Sequence, residues 1–79
     1  MNSSVTDNGA FEQFDVTRAR LVASVRRAVT REQNLADRME TDMSVRLTRA
    51  HYHALQAVSR AKFALRDYDS HQAYIRRLA

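Results

Sequence analysis

The chain contains no cysteine, which removes disulfides, thiolate metal sites and a cysteine nucleophile from consideration. It contains no proline and a single glycine, Gly9, so no residue beyond the first few obliges a helix to stop. No stretch alternates apolar and polar residues as a half-buried strand would. No apolar run nears the ~20 residues needed to span a bilayer. The first nine residues, Met1 to Gly9, have neither the basic cluster nor the apolar core of a secretory signal. A cytoplasmic protein with no membrane segment is therefore the expectation.

Catalytic signatures are equally scarce. There is no Gly-rich phosphate loop, no nucleophile elbow and no His-Glu-x-x-His spacing. The histidines are His51, His53 and His71. His51 and His53 stand two apart, so on a helix they point ~200° apart and do not share a metal. Asp67, Asp69 and His71 alternate like ligands but lack the turn glycine and the length of a calcium loop. These absences lead to the expectation of a non-enzymatic chain with no cofactor and no metal.

What is present is helix-forming. The 79 residues are rich in alanine and arginine, which suits one all-α domain. The formal charge is +4, with thirteen Lys and Arg against nine acids, a modest excess that is not by itself a nucleic-acid footprint. Chains below about 70–80 residues rarely bury enough apolar surface alone. Without cysteines or a metal, oligomerisation is the remaining route to a core.

Residues 1–9 read as a disordered polar leader, and 10–79 as one helical domain. The first helix is expected over about 10–40, with Asp7 or Asn8 as its cap and Glu12 and Asp15 in its first turn. Its apolar line is Phe11, Phe14, Leu21, Val25, Ala28, Leu35 and Met39, flanked by Val22, Val29 and Ala36. Arg18 and Glu32 interrupt that line. Spacing of three and four then slips before Leu47, which places a turn at about 40–44 with Thr41 or Asp42 capping the next helix and Asp42 paired with Arg46. A rival break lies at Thr30-Arg31-Glu32-Gln33, a capping-box pattern, and with no Gly or Pro at either site an uninterrupted helix is the third alternative. The second helix is expected over about 42–68. Residues 70–79 read either as its continuation or as a short third helix. The fold class is thus an antiparallel helical hairpin, expected to dimerise into a four-helix bundle.

Two stripes oppose each other on the second helix. Leu47, Ala50, Ala54, Ala57, Ala61 and Ala64 recur at three- and four-residue spacing, continued by Tyr68, Ile75 and Leu78. Small residues in such a row let another helix approach closely. Tyr52, Phe63 and Tyr74 recur every eleven residues and so drift only ~20° per step, with Phe63 about 180° from Ala54. Arg49, Arg60, Arg66 and Arg77 lie on or near the same side. Aromatics and arginines are enriched at interface cores. Arg49, Tyr52, Arg60, Phe63, Arg66, Tyr74 and Arg77 are therefore the candidate partner-binding residues of an adaptor, chaperone or regulator, with the partner a second copy or a different protein. An alternative is a basic nucleic-acid-binding or transcription-modulating protein. Its candidate contacts are Arg20, Arg27, Arg31 and Arg38, which cluster on one side of the first helix and otherwise form a solvated face.

Overall fold

The computed structural model describes residues 15–79. Two helices form an antiparallel hairpin: α1 (Val16–Met39) and α2 (Val45–Leu78). Phe11 and Phe14, the polar leader and the proposed Asp7 or Asn8 cap lie outside the described residues. Asp15 is extended, and its side chain accepts from the Arg18 amide, so α1 is capped there rather than running back continuously to Ala10. The capping-box pattern at Thr30 does not interrupt α1.

The turn falls where the phase slip put it, and it closes without glycine. The Arg38 carbonyl accepts from the Thr41 amide, the Thr41 hydroxyl and the Asp42 amide, satisfying a helix end that would otherwise point an orphan acceptor at solvent. The N-cap of α2 is Ser44, not Thr41 or Asp42: its hydroxyl oxygen accepts from the Leu47 amide at 3.2 Å. Asp42 instead accepts from the Ser44 amide at 3.0 Å. That engagement holds its carboxylate in the turn, and the expected Asp42–Arg46 pair is not formed. α2 continues unbroken to Leu78, so residues 70–78 are a continuation and not a separate helix.

The hairpin is one layer, 13 Å thick across its Cα atoms. Its core is correspondingly small: Leu35, Leu47 and Ala54 are buried, with Met39 and Ala50 packed against them. On α2 the inward positions are Leu47, His51, Ala54, Val58, Ala61, Leu65 and Tyr68, all buried or half-buried. Their steps alternate four and three, a mean of 3.5, the period of helices that wind around each other left-handedly. The alanine row expected from the sequence drifts off this seam. Ala54 is 3% exposed, Ala50 and Ala57 are half-buried, and Ala64 is exposed.

Candidate interaction surfaces

The two residues that interrupt the apolar line of α1 prove to be its long-range ties. Glu32 Oε2 lies 2.7 Å from His51 Nε2, both side chains about four-fifths buried. Arg18 makes a forked contact to Asp69, Nε to Oδ1 at 2.9 Å and an Nη to Oδ2 at 3.0 Å. The bidentate fit of guanidinium to carboxylate fixes direction as well as distance. Both ties lie on the same edge of the hairpin. By helical spacing that edge carries Val22, Val25 and Val29 on α1 and Leu55, Val58 and Leu65 on α2.

Hydrogen bonding at the open end also sets the charge states. The Tyr68 hydroxyl donates to Asp15 Oδ2 at 2.6 Å. This bond, followed by the Arg18 amide, holds the Asp15 carboxyl below its ordinary range. The same bond pushes the Tyr68 phenol up. The hydrogen bond from the Arg18 guanidinium lowers Asp69.

The outer face of α2 is where the eleven-residue spacing put it. Tyr52 is 57% exposed, Phe63 66% and Tyr74 53%, with Arg49, Arg60, Arg66 and Arg77 exposed as well. Tyr52 is partly braced: its hydroxyl accepts from Gln56 at 3.1 Å, and its ring meets His53 edge-on at 5.8 Å. Phe63 shares a shallow hollow with Lys62 and Arg66, and Tyr52 shares another with Arg49, Met43 and Val45. Met43 and Val45 were not singled out from the sequence, yet both are nearly three-quarters exposed. Val45 stands seven residues before Tyr52, a step that keeps it on the same line; that spacing was the available signal. The stripe is thus one continuous line, but its members are too far apart along the helix to converge on a single pocket.

Arg20, Arg27, Arg31 and Arg38 of α1 occupy the edge away from the two ties. Arg27, Arg31 and Arg38 line one hollow with Arg26, Thr30 and Asn34, over Leu35. Arg20 lies one heptad before Arg27 on the same face but does not line the hollow. Arg26, pointing to the outer side of α1 by helical phase, was missed because only a long side chain reaches around to that groove.

The chain matches no family model, no curated protein and no solved structure. Among the described residues no helix is long and apolar enough to cross a membrane.

Proposed function

We propose that this chain is a non-enzymatic helical interaction module that offers the outer face of α2 to a partner protein. The observation that carries the reading is the line of Val45, Tyr52, Phe63 and Tyr74, each more than half exposed on one side of a single unbroken helix. Leaving so many large apolar side chains in water costs free energy that burial against a partner recovers, at ~25 cal/mol per Å². The flanking Arg49, Arg60, Arg66 and Arg77 supply the polar rim that such interfaces carry.

The module is proposed to work as a dimer, as a four-helix arrangement. Among the described residues, a layer 13 Å thick with three buried residues has no second layer of the kind a stable domain needs. The edge bearing Val22, Val25, Val29, Leu55, Val58 and Leu65 is the apolar surface suited to supply it, whereas the arginine edge repels its own copy.

The test is a photo-crosslinking residue placed at position 63 in the native host, read by mass spectrometry. Crosslinks to one other protein, lost when Tyr52 and Tyr74 are changed to Ser, support the reading. Crosslinks to the chain itself would assign the stripe to self-association, and no crosslink at all would refute an interface there. For the dimer, light scattering should give twice the 9.1 kDa chain mass, falling to one on Leu55→Glu.

A further inference from the structure

We propose that the edge opposite the two ties is a binding surface for a nucleic-acid backbone, distinct from the aromatic line on the outer face of α2, with which it shares Arg60. It starts from the arginine row of α1. Among the described residues, none of Arg26, Arg27, Arg31 and Arg38 lies within ion-pair distance of a carboxylate. Of the two acids of α1, Glu32 is spent on His51, and Asp37, beside Thr30 and Asn34 by helical spacing, makes no ion pair with these arginines and does not line the hollow. Guanidiniums held side by side without a counter-charge repel one another, and a polyanion relieves that repulsion.

The hollow itself is lined by α1 residues alone, and by helical spacing α2 extends the same edge. Ala50, Ala57 and Ala64 lie there, one helical position off the seam, the first two half-buried and Ala64 exposed. Beside them, at three- and four-residue steps, stand Arg46, His53 and Arg60, all exposed. The helices are antiparallel, so Arg38 lies toward the Arg46 end and Arg27 toward the Arg60 end. The next member of the α2 row is Asp67, which closes the cationic run. The footprint is therefore Arg27–Arg38 against Arg46–Arg60, and it leaves out Arg20, which lies toward Asp67.

The chemistry of the lining separates a phosphate chain from an acidic protein. Between the arginines stand Thr30 and Asn34. Arg, Thr and Asn are all phosphate-contacting side chains, and backbone contacts need donors rather than a dry centre. A protein interface is built around a cluster of apolar anchors. Here the one large apolar side chain is Leu35, 8% exposed at the bottom of the hollow. Nothing on this edge reads base edges in the manner of a recognition helix, so binding follows charge and not sequence.

The experiment uses fluorescence anisotropy of the full chain with a labelled 20-nucleotide single-stranded RNA, a DNA duplex of the same length, and poly-glutamate, each over a salt series. Both nucleic acids should bind at low salt, with affinity falling linearly in log–log form. The triple variant Arg27→Gln, Arg31→Gln, Arg38→Gln should weaken binding about tenfold or more and lower the salt slope by about 2–3. A control triple, Arg49→Gln, Arg66→Gln, Arg77→Gln, has the same net charge and should change affinity less than about threefold. Circular dichroism checks that both triples stay helical, and Arg31→Gln alone, with a smaller loss, serves if the triple does not. Preference for RNA or for DNA identifies which phosphodiester fits the edge. No binding by the unaltered chain, equal losses in the two triples, or equal affinity for poly-glutamate would overturn the proposal.

Discussion

Asp15 and Tyr68 meet across the open end of the hairpin, with the phenol donating to Oδ2 at 2.6 Å while Oδ1 of the same carboxylate caps α1 through the Arg18 amide. One side chain thus starts a helix and ties it to its neighbour. Local capping alone is satisfied by any short acceptor. The second bond exists because the antiparallel register brings position 68 to position 15.

Three variants separate the two roles. Asp15→Asn retains a good cap and loses the charge on the acceptor. Tyr68→Phe retains the cap and loses the tie. Asp15→Ala loses both. Thermal melts should rank them with Asp15→Ala the least stable and the other two between it and the parent chain. Equal melting temperatures for Asp15→Ala and Tyr68→Phe would mean that the cap contributes nothing.

Stability should depend on pH at both extremes. Asp15 and Asp69 titrate below the ordinary carboxylate value of 3.8 in the folded chain. A depressed carboxylate stabilises the fold above its unfolded value, and that contribution disappears as pH falls through the folded value. Helicity should therefore hold down to about pH 4 and decline below it, and Asp15→Asn with Asp69→Asn should flatten the decline. The phenol of Tyr68 is raised above its ordinary 10.0, so its contribution is present below about that pH and is lost as pH rises past the folded value. Tyr68→Phe should remove the alkaline dependence. All of these groups are solvent-accessible, so added salt should shrink the effects of Asp69 and Arg18.

The alanines of α2 should not be equivalent. Ala54 faces α1 at 3% exposure, and a leucine there forces the helices apart at a cost of about 1–3 kcal/mol. Ala64 is exposed, so Ala64→Leu should stay within about 0.5 kcal/mol of the parent chain. Ala57, half-buried at the rim of the seam, should fall between them. A urea melt of the three variants checks the order, and a neutral Ala54→Leu would show that the helices do not pack closely there.

Helix content, the position of the turn and the exposure of the aromatic line were legible in the sequence. Each depends on contacts or dihedrals spanning a few residues: a phase slip after Met39, and an eleven-residue step that returns Tyr52, Phe63 and Tyr74 to one side. The identity of the cap was less legible, because Thr41, Asp42 and Ser44 all carry cap chemistry and their order in the turn selects among them.

The partners of Glu32, Arg18 and Asp15 belonged to the tertiary structure alone. On a helical wheel Glu32 and Arg18 were blemishes in an apolar line, and only the antiparallel register supplies His51 and Asp69 to them. The same holds for the seam. On a straight 3.6-residue wheel Leu65 returns to the bearing of Leu47 while Ala64 stands ~100° away, and only the position of α1 decides that the Leu47–Leu65 line is the covered one. Periodicity fixes which residues share a side of a rod; which side finds a neighbour depends on how a second rod lies against it.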